Sequence, residues 1–238
     1  MKYLYLLLIC VVFIMGICVG KVYFPKTITK EIKSCNGYCY PKDFDLMKFC
    51  EGYYKEVLKE VPDKPVSFEV FADEFDEMEG QAKIIASWGK NVYVKIPIIN
   101  TKGEGLEDLI EELSESGIKI NVTAITLWDQ ALHIRNEAPM IFSFFAGRIA
   151  DTGLDPILVI KAFIGIYAPN DNLAELLWAS TREVLNIYQA EQAGADIITC
   201  TPELLEKYYK FKEMDLEELS LITVKQFYED AKASGFQL

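Results

Sequence analysis

The stretch Val92-Tyr93-Val94-Lys95-Ile96-Pro97-Ile98 is an apolar run that carries one charge, on Lys95. Its length and its content of valine and isoleucine predict a β-strand. Because side chains alternate along a strand, Lys95 shares a face with Tyr93 and not with Val94. A buried amine is costly unless it is paired or neutral, and the neutral form is a nucleophile. The run therefore predicts either a reactive lysine or one whose ammonium group reaches solvent at the strand end.

Runs of this kind recur from about Pro62 onward and alternate with amphipathic helical stretches. This alternation is typical of βαβ units and a parallel sheet. The predicted strands are Val66–Ala72, Asn91–Pro97, Ile118–Ala124, Met140–Ala146, Ala174–Ala179 and Asp196–Cys200. The predicted helices are Asp73–Trp88, Gly105–Ser116, Leu127–Asn136, Asp155–Tyr167 and Thr181–Ala193, with a helical tail from Pro202 to about Lys232.

The strand count bears on the fold class. Six strands are two fewer than a closed (β/α)8 TIM barrel needs. The apolar runs Tyr3–Phe13 and Ile17–Phe24 are the candidates for the first two strands, which would be atypical or incomplete. A doubly wound open sheet normally shows a glycine-rich turn after its first strand, and this sequence has none. We therefore expect a TIM barrel with helices in residues 61–238, after an atypical segment at 1–60.

The amino-terminal run also has a second interpretation. Tyr3–Val19 is an unbroken series of apolar and small residues between Lys2 and Lys21, somewhat shorter than the roughly 20 residues of a membrane-spanning helix. It predicts either a membrane anchor or buried barrel strands. The corresponding expectations are a membrane-anchored protein and a cytoplasmic one.

Composition restricts the classes of partner. The chain has 36 acidic and 24 basic residues and a formal net charge of −12, which argues against binding to nucleic acid. Five of its six cysteines lie in the first fifty residues and it has one histidine, so a zinc site is poorly supported. We expect neither a metal nor another cofactor. An anionic substrate would require a local concentration of arginine or lysine.

Polar residues occupy the face of Lys95 on the neighbouring predicted strands. The preceding strand carries Glu69 there, either as an acid–base partner of an amine or as half of a structural ion pair. The following strand carries Asn121 and Thr123, which could hold a water and substrate hydroxyls. Three neighbouring strands thus agree on one polar face.

Two arginines follow the ends of later strands, where ligands bind in α/β barrels. Arg148 ends the segment that begins at Ser143, and Arg182 follows Ser180, which we expect to be the N-cap of the next helix. Arg148, Ser180, Arg182 and the amides of the helix N-terminus would together form a phosphate site. This is the local positive cluster that an anionic substrate would require.

This order of strands, with its polar and charged residues, resembles the transaldolase family, including its small members and the related fructose 6-phosphate aldolases. The resemblance extends from about Lys64 to Lys207, well over half of the chain. The segments that carry it are Val66–Ala72, Tyr93–Pro97, Ile120–Thr123, Ser143–Arg148, Ala179–Arg182 and Ala193–Thr199.

The resemblance implies a class I aldolase mechanism that needs no cofactor, with fructose 6-phosphate, erythrose 4-phosphate or similar sugar phosphates as partners. The implied catalytic residues are Lys95 as the imine-forming amine, Glu69 as proton shuttle and Thr123 as holder of a water. The implied substrate-binding residues are Asn121, Ser143, Phe145, Arg148, Ser180 and Arg182. Members that transfer a dihydroxyacetone unit usually carry Glu and Phe where Glu69 and Phe145 stand, whereas members that only cleave tend to carry Gln and Tyr. The resemblance thus implies a transaldolase of the pentose phosphate pathway.

Residues 1–60 depart from the family pattern. They contain neither the Phe-Leu-Asp-Thr-like motif, whose aspartate takes part in carbon–carbon bond cleavage, nor the Thr-Thr-Asn-Pro motif that follows it. The alternatives are therefore an aldolase-type lyase or an inactive barrel that binds sugar phosphate. The tail Pro202–Leu238 could pack within the monomer or support a homo-oligomer.

Overall fold

The computed structural model describes residues 54–55, 57–167 and 173–236. Within these ranges the strands form one parallel sheet in consecutive order. They are β1 (Val66–Glu69), β2 (Val92–Pro97), β3 (Ile120–Ile125), β4 (Met140–Phe144), β5 (Ala174–Trp178) and β6 (Ile197–Ile198). The helices that follow β1 are α1 (Phe75–Ala86), α2 (Glu107–Glu115), α3 (Ala146–Asp151), α4 (Pro156–Tyr167), α5 (Leu185–Ala193), α6 (Pro202–Phe211) and α7 (Leu216–Ser234).

The strand order decides between the two predicted architectures. In a doubly wound sheet the order reverses at a switch point, whereas β1 to β6 follow one another without reversal. The described residues therefore form part of a (β/α)8 barrel, as predicted. The candidates for its first two strands, Tyr3–Phe13 and Ile17–Phe24, lie outside the described residues, and so does the anchor candidate Tyr3–Val19. Among the described residues, no helix combines the length and apolar character needed to cross a membrane.

Each strand is buried on both faces, which is why the strand sequences are almost continuously apolar. One face of β4 packs against α4, where the rings of Phe142 and Phe144 lie 5.3 and 5.1 Å from that of Phe163. The opposite set of side chains forms a separate apolar cluster of Tyr93, Ile141, Leu177, Ala179 and Ile197. This second cluster shares the face of Lys95, because it contains Tyr93.

All six predicted strands are present, but several end early. β1 stops at Glu69, three residues before the predicted end, because Oε1 of Gln81 in α1 accepts hydrogen bonds from the amides of Phe71 and Ala72. β4 stops at Phe144, and the short helix α3 begins at Ala146. β6 has only two residues.

The predicted helix Leu127–Asn136 is wrong over most of its length. Only a 3-10 turn, Trp128–Ala131, is present. Side chains of the preceding α2 region account for the difference: Glu111 accepts from the amide of Arg135, and Ser114 accepts from the two amides that follow Asn136. Backbone groups bonded to another element in this way cannot also continue a helix.

Two further helix boundaries differ from expectation. The predicted helix Thr181–Ala193 begins only at Leu185. The helical tail is broken into α6 and α7, and each is capped by a side chain at its start, Thr201 for α6 and Asp215 for α7. Both tail helices belong to a compact unit that begins at Cys200, separate from the unit that ends at Thr199.

Candidate active site

Lys95 and Glu69 occupy the same level of the sheet on neighbouring strands. Nζ of Lys95 donates to Oε2 of Glu69 at 3.2 Å, and the exposed fractions of the two side chains are 7% and 19%. Removing such a pair from water carries a desolvation cost, so the contact is weak support for stability. The predicted contact between the two residues is confirmed.

A second set of polar side chains adjoins this pair. Asn121 is the register partner of Lys95 on β3, and it is fully buried. Its Nδ2 donates to Oγ of Ser67 at 3.0 Å, and its Oδ1 accepts from Oγ of Ser143 at 2.6 Å. The amide thereby joins β1, β3 and β4 through hydrogen bonds between buried side chains, an arrangement that rigidifies its surroundings.

Thr123 lies one step further toward the carboxyl end of β3, where it is the register partner of Pro97. Its Oγ1 is buried and has no hydrogen-bond partner among the described residues. Buried hydroxyls almost always have a partner, so this group is free to bind a water or a substrate atom. The next residue, Ala124, has a left-handed backbone with φ 62° where the register of β3 against β4 shifts, which marks the end of regular pairing at this level.

Phe145 connects the lysine to the first arginine. Its ring centroid lies 5.9 Å from Nζ of Lys95 and 5.2 Å from Cζ of Arg148. Both distances are within the range of cation–π attraction. The half-buried ring also packs against the apolar cluster of inward-facing residues. It therefore forms an apolar wall between the amine and the exposed guanidinium group.

The segment between β5 and α5 carries Ser180 and Arg182, and its conformation differs from the prediction. Ser180 is not a helix N-cap, because α5 begins at Leu185 after Val184. Ser180 has φ 61°, in the left-handed region, whereas an N-cap residue is extended. Gly147 of α3 lies against this segment so closely that a Cβ atom built on it would stand 2.0 Å from the backbone oxygen of Ser180. Only glycine permits this approach.

The guanidinium group of Arg182 forms an ion pair with Asp151, the last residue of α3. The backbone amides of Arg182 and Glu183 both donate to Oδ1 of Asn186. The expectation that helix N-terminal amides complete a phosphate site is therefore not met at these two positions. The guanidinium groups of Arg148 and Arg182 and the hydroxyl of Ser180 remain as candidate anion ligands.

The half-buried Glu175 of β5 shares the inward-facing side with Leu177, because side chains alternate along a strand. Burial raises the pKa of the Glu175 carboxyl, and the nearby charge of Asp196 raises it further. Burial also raises the pKa of Tyr93, with Glu175 as the second cause. In the second compact unit, burial raises the pKa of the Cys200 thiol to about 11, so it is not a thiolate at neutral pH. The described part of the chain contains no cluster of side chains suited to hold a metal ion.

Comparison with known proteins identifies the family. The chain matches the transaldolase/fructose-6-phosphate aldolase family over residues 46–238, which is well over half of its length. It belongs to this family.

Individual relatives of this transaldolase-family chain have consistent names. It is 36% identical over 159 residues to a "Probable transaldolase 2" of Listeria monocytogenes, covering 66% of this chain and 71% of the relative. It is 32% identical over 186 residues to a "Probable transaldolase" of Thermoanaerobacter sp., covering 77% and 82%. A "Probable transaldolase" of Methanococcus maripaludis is 34% identical over 166 residues, covering 68% and 75%. Family membership and these names support an enzyme of the transaldolase or aldolase type.

The transaldolase-family site also contains residues that sequence reasoning missed. Ser67 was available from its alternation with Glu69, but an isolated serine in an apolar strand gave no reason to select it. Asn186 gave no signal, because its partners are backbone amides of a loop that was expected to be helical. Gly147 lies in the segment Ser143–Arg148, which carries part of the family resemblance. Its close approach to Ser180 depends on the tertiary structure and leaves no pattern in the sequence.

Proposed function

We propose that this protein is a transaldolase that transfers a dihydroxyacetone unit between sugar phosphates through an imine at Lys95. The observation that carries the proposal is the buried Lys95–Glu69 pair at 3.2 Å, beside the fully buried Asn121. A nucleophilic amine with an acid–base group in contact is what imine chemistry requires.

In the proposed reaction, the neutral amine of Lys95 attacks C2 of the ketose phosphate and forms a carbinolamine. Loss of water, with a proton supplied by Glu69 directly or through a water on Thr123, gives the iminium ion. Glu69, now a carboxylate, takes the proton of the C4 hydroxyl, directly or through the same water. The C3–C4 bond breaks, an aldose phosphate is released, and the electron pair of that bond neutralises the iminium to leave the enamine of dihydroxyacetone. The enamine carbon then attacks the aldehyde carbon of an acceptor, and hydrolysis of the new iminium restores the amine.

The remaining site residues act on binding in this proposal. Asn121 and Ser143 contact hydroxyl groups of the dihydroxyacetone unit, because they are polar and adjoin the amine. Arg148, Ser180 and Arg182 hold the phosphate, since charge-assisted bonds from guanidinium groups suit phosphate oxygens. Phe145 separates the two regions and limits access of water to the enamine.

We propose transfer and not simple cleavage because of the identity of two residues. Glu69 and Phe145 are the residue types that transferring members of the family usually carry at these positions. The named relatives are also called transaldolases. We place the activity in the cytoplasm and in the pentose phosphate pathway, and carbonate extraction of membranes tests the location: retention of the chain in the membrane pellet would contradict it.

The experiment has two steps. Borohydride reduction in the presence of fructose 6-phosphate should attach a dihydroxyacetone unit to Lys95, as found by peptide mapping, and Lys95→Met should abolish this attachment. Lys119→Met is the matched control, because Lys119 precedes β3 and its Nζ bonds to the backbone oxygen of Lys90 instead. Turnover of fructose 6-phosphate with erythrose 4-phosphate then separates an active enzyme from a binding protein. A trapped adduct without turnover would leave only the imine and rule out the transferase.

A further inference from the structure

The segment Ser180–Val184 lies outside the regular helix, so most of its backbone must be held by other contacts. It begins with the left-handed Ser180 and ends where α5 starts, at Leu185. A left-handed backbone at a non-glycine residue is unfavourable and persists only where surrounding contacts impose it. The segment carries Arg182, so whatever imposes its conformation also sets the position of that arginine.

Asn186, in the first turn of α5, supplies such contacts. It is 8% exposed, and its Oδ1 accepts from the amide of Arg182 at 3.0 Å and from that of Glu183 at 3.1 Å. Its Nδ2 donates to Oε1 of Gln189, one turn further along α5, at 2.8 Å. One side chain therefore fixes two consecutive amides of the loop and is itself held by the helix.

We infer that Asn186 is a positioning residue for Arg182, an inference that rests on the proposed function in assigning phosphate binding to that arginine. Arg182 is held at both ends: Asn186 holds its backbone amide and Asp151 pairs with its guanidinium group. A flexible side chain that is fixed before binding loses less conformational freedom when an anion arrives. The two contacts thus raise affinity for phosphate without touching it.

The hydrogen bonds to Asn186 also determine which groups remain to bind the phosphate. Amides at the start of a helix are a common anion site, because their N–H groups are not used within the helix. Here the helix begins only at Leu185, and Oδ1 of Asn186 accepts from two amides of the loop before it, at Arg182 and Glu183, so those amides are not available to an anion. The phosphate therefore relies on the guanidinium groups and the Ser180 hydroxyl. This arrangement makes the placement of Arg182 more important for affinity.

The test uses the full-length protein with Asn186→Ala. We expect KM for fructose 6-phosphate to rise about 5- to 20-fold with kcat within about twofold, because binding and not chemistry is affected. Affinity for inorganic phosphate should fall by the same factor, and trapping of unphosphorylated dihydroxyacetone at Lys95 should be unchanged. Asn91→Ala is the matched control. Its Nδ2 holds the backbone oxygens of Val61 and Lys64 before β2, so its loss should leave KM unaltered.

Amide hydrogen exchange in the unmodified protein gives an independent readout. The amides of Arg182 and Glu183 should be protected, and Asn186→Ala should remove this protection while the amides of β5 keep theirs. If Asn186→Ala does not fold, Asn186→Leu replaces it in the same measurements, since leucine has a similar volume and no acceptor.

Three results would overturn the inference. The first is that the amides of Arg182 and Glu183 are unprotected in the unmodified protein. The second is that Asn186→Ala loses this protection but keeps its affinity for phosphate. The third is that kcat, phosphate affinity and dihydroxyacetone trapping all fall together in Asn186→Ala, which would indicate general damage. Failure of the unmodified protein to trap dihydroxyacetone counts against the proposed function alone, because phosphate binding and amide exchange still decide the role of Asn186.

Discussion

Asn121 of β3 donates to Ser67 of β1 at 3.0 Å, although the two residues lie 54 positions apart in the sequence and on strands that are not adjacent. The bond crosses the inward-facing side at the level of Lys95, which occupies the strand between them. Lys95 is thereby enclosed by polar groups from both neighbouring strands. The first two predictions follow from this enclosure.

Replacement of Asn121 should destabilise the protein more than replacement of its partner Ser143. Asn121→Ala leaves two buried hydroxyls, those of Ser67 and Ser143, without a partner, whereas Ser143→Ala leaves only one acceptor. We expect the free energy of unfolding to fall by about 2–4 kcal/mol for Asn121→Ala and by about 1–2 kcal/mol for Ser143→Ala. Urea denaturation measures both. A larger loss for Ser143→Ala would show that the network is not organised around the amide.

Removal of the Glu69 charge should affect turnover far more than substrate affinity. Glu69→Gln keeps the shape of the side chain but cannot take up a proton, so kcat for transfer to erythrose 4-phosphate should fall by about 10²- to 10⁴-fold with little change in KM, even though members that only cleave tend to carry Gln here. Steady-state kinetics with fructose 6-phosphate and erythrose 4-phosphate provide the measurement. Glu79→Gln is the control, because Glu79 pairs with Lys83 on the exposed face of α1. A Glu69→Gln variant with nearly full kcat would make the pair structural.

Gly147 should tolerate no side chain. The Cβ of Gly147→Ala would stand 2.0 Å from the oxygen of Ser180, so backbone must move on one side. We expect a loss of about 1–3 kcal/mol in stability together with a raised KM, since Ser180 and Arg182 move with the segment. Gly165→Ala in α4 is the control. Nothing lies within 4 Å of its added Cβ, and it should stabilise the helix by about 0.5–1 kcal/mol.

Asp151 should matter for binding and not for stability. Its ion pair with Arg182 has both side chains about half exposed, at 51% and 54%, and pairs of that kind contribute little to folding. Asp151→Ala should therefore leave the midpoint of thermal unfolding nearly unchanged. The guanidinium group becomes free to rotate, and we expect KM for the phosphorylated substrate to rise by about 2- to 5-fold. An unchanged KM would mean that Asn186 alone sets the position of Arg182.

Glu175 should make stability depend on pH in an identifiable direction. Its pKa is raised in the folded protein, first by burial and then by Asp196, so folding favours its protonated form. The contribution to stability is complete below the ordinary value of 4.5 and is lost as the pH rises through the folded pKa. Glu175→Gln should therefore melt at a higher temperature than the unmodified protein at neutral pH, with the difference vanishing below that value.

The matched control for this prediction is Glu229→Gln, which changes the same charge on an exposed position of α7. It should leave the melting temperature unaltered across the range. A stabilisation by Glu175→Gln that persists in acid would have to arise from packing and not from the carboxyl charge.

The sequence was informative where the position of a side chain depends only on its own strand and the neighbouring strands. The alternation of side chains predicted that Glu69, Lys95 and Asn121 share a face, and parallel pairing brings them to one level. The sequence was uninformative where a side chain from another element sets the backbone conformation. The amide bonds to Asn186 and the contact with Gly147 set the conformation at Ser180, and neither leaves a periodic pattern.

The segment after β3 is a second case in which the sequence alone did not predict the structure. Leu127–Asn136 has the composition of a helix, but the carboxylate of Glu111 and the hydroxyl of Ser114 bind backbone amides at and beyond its end. Those bonds form only when α2 is already in place. Local propensity is overruled by such contacts, as it commonly is in packed domains.

The bond between Ser67 and Asn121 also constrains how the chain can fold. Neither group finds its partner within one βα unit, so a fragment holding β1 and β2 alone would bury the Ser67 hydroxyl without this partner. The sheet must therefore assemble across at least three strands before its interior becomes favourable, and contacts this distant in sequence form slowly. The polar residues around Lys95 thus delay closure of the interior until the surroundings of the amine are complete.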